Sequence, residues 1–218
     1  MYEKYIKRIM DFMIVLMTLP FILIIIIVVS PFIILDDGMP IFYNAYRIGQ
    51  YGKLFKMYKF RSMKKNAPDI RLADGSTYNG EDDPRVTKIG KILRKTSIDE
   101  IPQLLNVLKG EMSLIGPRPD PPDWLEKYPE NIKPFLNVKP GITGYSQAYF
   151  RNSADGQEKM ENDLYYAKNC SFWLDIKILF KTIGVVLKHE NTYKDIEKTS
   201  NQIDKNDESI LEKLKSKK

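Results

Sequence analysis

The dominant feature of the hydropathy pattern is a charge-free apolar run from Phe12 to Leu35. At a helical rise of about 1.5 Å per residue, such a run is long enough for a hydrocarbon core about 30 Å thick, so it predicts a membrane-embedded helix. It exceeds a signal-peptide core and no small-x-small cleavage site follows it, so it is expected to be retained. Pro20 lies inside the run, where it removes a backbone donor and clashes with the preceding turn. Lys4, Lys7 and Arg8 precede the run, and Arg47, Lys53, Lys56, Lys59 and Arg61 follow it. Positive flanks favour the cytoplasmic side, and a helix broken at Pro20 that re-enters one leaflet puts both flanks there. A Pro-kinked spanning helix, with Ser30-Pro31 marking only the exit, is the competing reading.

Beyond the run the period changes. Apolar and aromatic positions between Pro40 and Met63 surround the turn signal Gly49-Gln50-Tyr51-Gly52 and predict a β-hairpin. Asn66 to Asp83 is rich in Asp, Gly, Asn and Pro and reads as a loop. Lys88 to Leu93 predicts a short helix, and Ser97 to Leu108 a second one ending at Gly110. Asp120-Pro121-Pro122 and the stretch from Lys139 to Gly144 are turn-forming, with a helical stretch near Trp124 to Tyr128 between them. From Glu161 to Lys188 the pattern predicts one long helix, with Trp173, Ile176, Phe180, Ile183 and Leu187 at 3,4 spacing and Lys177, Lys181 and Lys188 on a narrow polar strip. That stripe either lies at a membrane interface with its lysines at the headgroups, or packs on the domain core. The tail from Asn191 to Lys218 mixes lysines with acids and reads as solvated or disordered.

Composition narrows the chemistry. The chain has 218 residues, a formal charge of +6, one cysteine and one histidine. The charge suits anionic partners such as headgroups or nucleotides. It is modest for nucleic-acid binding, and no recognised motif accompanies it. Cys170 alone excludes an intrachain disulfide or a cysteine-rich metal site, and His189 lies beside the charged tail without an evident partner. Acid, base or nucleophilic work then falls to carboxylates or lysines.

The carboxylates of interest are adjacent, in Arg94-Lys95-Thr96-Ser97-Ile98-Asp99-Glu100-Ile101-Pro102-Gln103, followed by Gly116-Pro117-Arg118-Pro119. Ser97 with Glu100 matches a capping box. Starting the helix at Asp99 instead places Pro102 in the first turn, where a missing N–H does no harm. In both cases the acids are expected at a helix N-terminus, which attracts anions. A carboxylate there can attack a phosphoryl group or hold Mg²⁺ against one. Arg94, Arg118 and a divalent cation are the candidates for screening its repulsion from phosphate, with Pro117 and Pro119 restricting Arg118. Plain capping remains the structural alternative.

The order of these strings has a further meaning. Asp82-Asp83-Pro84-Arg85-Val86-Thr87-Lys88-Ile89-Gly90, the acid pair, the stretch from Leu105 to Ser113, Gly116-Pro117-Arg118-Pro119, Tyr58-Lys59-Phe60-Arg61-Ser62-Met63 and Pro140-Gly141-Ile142-Thr143-Gly144 closely resemble the small monotopic phosphoglycosyl transferases of the bacterial sugar transferase family. The likeness extends from the apolar segment to about Lys188. It implies transfer of a sugar 1-phosphate from a UDP-sugar to undecaprenyl phosphate with release of UMP, at the cytoplasmic face of a bacterial inner membrane. It implies Asp99 as nucleophile and Glu100 as its partner in holding Mg²⁺. It also implies phosphate or nucleotide contacts from Arg94, Arg118 and Arg151, and supporting places for Asp163 and Gln147. The chain departs from the family in having Leu19-Pro20 where the helix break is commonly Ser-Pro, with Thr18 nearby. It has Tyr145-Ser146-Gln147 where many members have Trp-Ala-Gln.

The expected architecture is α+β and helix-rich. A re-entrant, Pro-broken membrane helix over 1–36 carries a compact cytosolic catalytic domain over 37–190 with interfacial amphipathic helices, and a charged tail follows over 191–218. Homodimerisation is left open. The rival readings are a glycosyltransferase releasing UDP, although no Asp-x-Asp motif occurs, and a membrane-bound scaffold for anionic lipid.

Overall fold

A computed structural model describes residues 1–70, 78–80, 83–150 and 156–187. Arg151, His189, the tail over 191–218 and much of the loop over 66–83 lie outside the described residues.

The apolar run forms α1 (Lys7–Asp37), a helix that contains both Pro20 and Pro31. Each proline deprives the carbonyl four residues earlier of its backbone donor. Hydroxyls beside both prolines bond back into the helix. Thr18 Oγ1 donates to the carbonyls of Ile14 and Val15, each at 3.1 Å, and Ser30 Oγ donates to that of Ile26 at 2.5 Å. Such back-bonding is a known way to bend a helix. Met17, Phe21, Ile27 and Leu35 project outward, two-thirds or more exposed. Lys7, Asp11, Val15, Ile22 and Ile33 form the buried stripe on the opposite face.

That stripe packs at both ends against the rest of the chain. Val15 and Ile22 join Phe55, Met57, Val107 and Met112 in one apolar cluster, and Ile33 joins Phe60 and Leu93 in another. The expected hairpin is present as β1 (Phe42–Ile48) and β2 (Leu54–Phe60), antiparallel with Phe42 opposite Phe60. The helix expected from Lys88 is α2 (Lys88–Lys95), capped by Thr87 Oγ1, which accepts the Gly90 N–H.

The next segment differs from expectation. Ser97 to Leu108 is not one helix: a 3₁₀ turn over Ile98–Glu100 precedes α3 (Gln103–Lys109), whose N-cap is Pro102. Ser97 has left-handed backbone with φ 58 and makes no side-chain cap, so neither the capping box nor an Asp99 cap forms. Without an N–H, Pro102 cannot continue a helix begun upstream but sits without loss at a helix start. At the other end, Gly110 (φ 83) supplies the left-handed residue that closes α3.

A second, unexpected sheet follows. β3 (Ser113–Ile115) and β4 (Gly141–Thr143) pair in parallel, with Ser113 opposite Gly141 and Ile115 opposite Thr143. The sequence around Gly141 reads as a turn because two of its glycines serve close backbone approach. A Cβ on Gly141 would lie 2.1 Å from the Gly116 nitrogen, and one on Gly144 2.1 Å from the Gly116 oxygen. Between the two strands, Pro122–Trp124 and Lys133–Asn137 are 3₁₀ turns.

A short α4 (Tyr145–Tyr149) comes next. The long helix expected from Glu161 to Lys188 is two helices, α5 (Gly156–Asn169) and α6 (Phe172–Leu187). Ser171 makes the break, since its Oγ accepts the Leu174 N–H at 3.4 Å and caps α6. Ile115, Val138, Ala148, Tyr166 and Ile178 form the core that unites β3 with α4, α5 and α6. The apolar stripe of α6 faces away from it: Trp173 and Phe180 are 72% and 70% exposed. The reading in which that stripe packs on the core is therefore incorrect, because Asp175 and Ile178 on the other face are the buried positions.

Candidate active site

Three segments bring four charged side chains together. The 3₁₀ turn before α3 carries Asp99 and Glu100, β2 carries Lys59, and the loop leaving β3 carries Arg118. Asp99 is 2% exposed, and its Oδ2 is 2.7 Å from Lys59 Nζ. The same ammonium is 3.5 Å from Glu100 Oε1. Arg118 takes Glu100 with both terminal nitrogens, Nη2 to Oε1 at 2.8 Å and Nη1 to Oε2 at 3.5 Å. A guanidinium fork of this kind fixes orientation as well as charge.

The backbone explains how adjacent acids hold different partners. A tight turn puts successive side chains on divergent directions, and Ser97 makes that turn possible by adopting φ 58 after α2. Its N–H donates to the Arg94 carbonyl at 3.2 Å, and its own carbonyl accepts from Glu100 at 3.2 Å. A left-handed non-glycine residue costs roughly 1–2 kcal/mol, and such strain concentrates at functional sites. Burial pushes the Glu100 carboxyl up, but Arg118 and then Lys59 outweigh it and hold it at about 2. Arg118 is in turn held more firmly protonated by Glu100, against the opposing effect of burial.

The other expected residues occupy different places. Arg94, on the last turn of α2, donates Nε to Ser62 Oγ at 3.0 Å and Nη1 to Asn79 Oδ1 at 3.3 Å. It thus stands beside the end of β2, on the chain leading into the acid pair. Asp163, on α5, bonds Lys159 at 3.1 Å, and Lys159 reaches Asp120 at 2.8 Å, two residues beyond Arg118. Tyr128 also donates to Asp120, at 2.8 Å. Asp163 is 1% exposed and its Oδ1 has no hydrogen-bond partner. Burial raises its carboxyl to about 6 despite Lys159. Gln147, on α4, has its amide buried without a partner, and its Oε1 would be 2.9 Å from a Cβ on Gly144. Asp163 is thus linked through Lys159 to Asp120, at the end of the loop that presents Arg118, whereas Gln147 lies beside Gly144.

Lys59 is the site residue that sequence reasoning missed. It was grouped with the basic flank of the membrane segment, while its signal lay in the string Tyr58 to Met63. Mg²⁺ is satisfied by one or two carboxylates completed by phosphate oxygens and water. Asp99 and Glu100 offer such a partial set, and among the described residues no cluster of three or more His, Cys, Asp or Glu competes with it. The donor chemistry therefore fits the ion as one shared with a phosphate substrate. The arrangement as a whole is a sheltered carboxylate nucleophile candidate, flanked by two cations that can accept phosphate oxygens.

An α+β, helix-rich fold carrying an outward-facing apolar helix and this carboxylate–cation cluster belongs to the bacterial sugar transferase family, which residues 2–189 match. Undecaprenyl-phosphate galactose phosphotransferase of Salmonella typhimurium is 41% identical over 208 residues, covering 88% of this chain and 42% of that protein. UDP-N-acetylgalactosamine-undecaprenyl-phosphate N-acetylgalactosaminephosphotransferase of Aeromonas hydrophila is 38% identical over 189 residues, 84% of this chain and 44% of its own length. Exopolysaccharide production protein ExoY of Sinorhizobium fredii is 37% identical over 198 residues, 86% of this chain and 88% of its own. The chain thus spans less than half of the first two relatives and most of the third.

Proposed function

We propose that this chain transfers a sugar 1-phosphate from a UDP-sugar to undecaprenyl phosphate, releasing UMP, as the first membrane step of a bacterial glycan. The observation that carries the reading is the sheltered Asp99 carboxylate with Lys59 at 2.7 Å and the Glu100–Arg118 fork beside it. The acceptor and the donor class follow from the relatives, two of which are undecaprenyl-phosphate sugar phosphotransferases.

In the first step a carboxylate oxygen of Asp99 attacks the phosphorus that bears the sugar. The bond to the bridging diphosphate oxygen breaks, and UMP leaves with that electron pair. An aspartyl phosphosugar remains. In the second step an oxygen of undecaprenyl phosphate attacks the same phosphorus, the acyl phosphate bond breaks, and the Asp99 carboxylate is restored. Lys59 and Arg118 neutralise charge on the phosphate oxygens in both steps, the electrostatic role expected for phosphoryl transfer. Glu100 orients Arg118 and, with Asp99, would hold Mg²⁺, which when bound supplies further charge neutralisation. Arg94 and Arg151 are assigned to the nucleotide or its phosphates, with Asp163 and Gln147 as supports.

The membrane reading has its own support. Lys7, at the start of α1, pairs with Asp175 at 2.5 Å, and Asp37, at its end, pairs with Arg61. Both ends of α1 are thereby tied to one body, as a re-entrant segment in one leaflet requires. The exposed stripe of α6 adds an apolar face for the interface. We assign the catalytic body to the cytoplasmic face of the inner membrane.

The test is nucleotide release by detergent-purified protein against a panel of UDP-sugars, with and without undecaprenyl phosphate, for wild type and Asp99→Asn. Lipid-dependent UMP from one donor, abolished in Asp99→Asn, is the expected result. UDP release would make it a glycosyltransferase, and turnover surviving in Asp99→Asn would remove the covalent step.

A further inference from the structure

We propose that Lys59 is a placeholder cation, whose ammonium fills the place between the two carboxylates that a divalent ion takes when a nucleotide donor binds. Lys59 Nζ touches Asp99 Oδ2 at 2.7 Å and approaches Glu100 Oε1 at 3.5 Å, so it straddles the pair. An ion seated between Asp99 and Glu100 would compete with the ammonium for Asp99 Oδ2 and Glu100 Oε1 and would repel it at that distance. One of them yields when the other arrives.

The surroundings determine which part moves. The backbone of β2 is fixed on both sides of Lys59. The Tyr58 N–H donates to Asn106 Oδ1 at 2.9 Å, and Arg61 donates Nε to the Pro40 carbonyl at 2.7 Å while its fork holds Asp37. Across the hairpin Lys59 lies opposite Tyr43. With that backbone held, the lysine side chain is the part of β2 that can reorient, and at 19% exposure it has an outlet from the buried pair. A lysine suits this task because its ammonium is a compact charge on a flexible stem that needs no fixed fork. Arg118, gripping Glu100 through two bonds, is the cation that stays.

The donor supplies what makes the exchange favourable. Its diphosphate oxygens offer the ammonium a new anionic partner as they offer the divalent ion its remaining ligands. Metal and nucleotide should therefore bind with positive cooperativity, and the nucleotide-free protein should bind the metal weakly. This inference rests on the proposed function only in taking the acid pair as a divalent site.

The experiment is a Mn²⁺ titration of the full chain in detergent, following free Mn²⁺ by electron paramagnetic resonance, with and without UDP. Lys59→Gln should bind Mn²⁺ at least tenfold more tightly than wild type without nucleotide and should lose most of the UDP-dependent gain. Lys59→Arg, which retains the charge, should stay weak. Lys59→Met serves if Lys59→Gln loses its melting transition. Unchanged, weaker or undetectable Mn²⁺ binding in both neutral variants would overturn the placeholder role. Tight binding that persists in Glu100→Gln and in Asp99→Asn would put the ion elsewhere and overturn it too. Neither result bears on UMP release, which tests the transfer reaction separately.

Discussion

Arg8, near the start of α1, donates its two terminal nitrogens to the carbonyls of Val107 and Leu108, at 2.5 and 3.0 Å. Those carbonyls close α3, the helix that begins just after Asp99 and Glu100. A cation at a helix C-terminus meets both the unpaired carbonyls and the negative end of the helix dipole. Arg8→Ala should lower stability by about 1.5–3 kcal/mol, the range for hydrogen bonds to a charged group. The drop should appear as a lower Tm in detergent and accompany reduced transfer activity. Arg8→Lys should restore only part of both, because an ammonium cannot fork across two carbonyls.

Replacing Arg118 by lysine keeps the charge and removes the fork on Glu100. Turnover should fall on the order of a hundredfold, the effect of losing one preorganised donor at a phosphoryl or acyl centre. Glu100 held at about 2 contributes stability that is fully present above the ordinary carboxylate range and is lost as pH falls through about 2. The rate profile of the wild type between pH 5 and 8 should therefore carry no inflection from Glu100. A Glu100→Gln variant should be equally impaired across that range.

Asp163 has the opposite sign. Its carboxyl is raised to about 6, so the folded state retains the proton longer than the unfolded chain. Its favourable contribution is complete below about 4 and is lost as pH rises through about 6, at most about 3 kcal/mol for a shift of this size. The Tm of Asp163→Asn relative to wild type should rise between pH 4 and pH 7. A flat difference would mean that Lys159 fully offsets the burial.

The exposed stripe of α6 can be removed without touching the core. The double variant Trp173→Ser with Phe180→Ser should leave the Tm within about 1–2 °C, since these positions contribute little to packing. Its retention on vesicles containing anionic lipid, measured by flotation in high salt, should fall.

The elements that the sequence revealed are those whose signals are local. The charge-free run gave α1, the apolar and aromatic positions around the turn signal Gly49 to Gly52 gave the hairpin, and the stretch from Lys88 to Leu93 gave α2. What stayed hidden depends on contacts remote in the chain. β3 and β4 are three residues each and pair across the segment from Gly116 to Pro140, too short for any period to show. The break between α5 and α6 falls in Lys168-Asn169-Cys170-Ser171, too short an interruption to show against the helical pattern on either side, and the serine cap at Ser171 decides it. The acid pair was expected at the start of one helix from Ser97, but it lies in a 3₁₀ turn ahead of α3, a geometry that follows from Ser97 at φ 58 and that no pattern encodes. Lys59 reaches Asp99 only because β2 is laid beside that turn, and Asp163 is linked to the Arg118 loop only through Lys159 and Asp120.

The elements that adjoin the acid pair, Lys59, Arg118 and Arg94 are bonded to α1. Arg8 holds the end of α3, Asp11 accepts from Ser113 of β3 at 2.6 Å, Asp36 accepts the Ile89 N–H of α2 at 2.7 Å, and Asp37 grips Arg61 just past β2. The apolar helix α1 is consequently not interchangeable cargo. Grafting another apolar helix of equal length would keep the outward apolar face but remove the four polar struts that hold these pieces together. A soluble derivative would need a replacement that reproduces the Arg8, Asp11, Asp36 and Asp37 bonds on one face while clothing the other in polar residues.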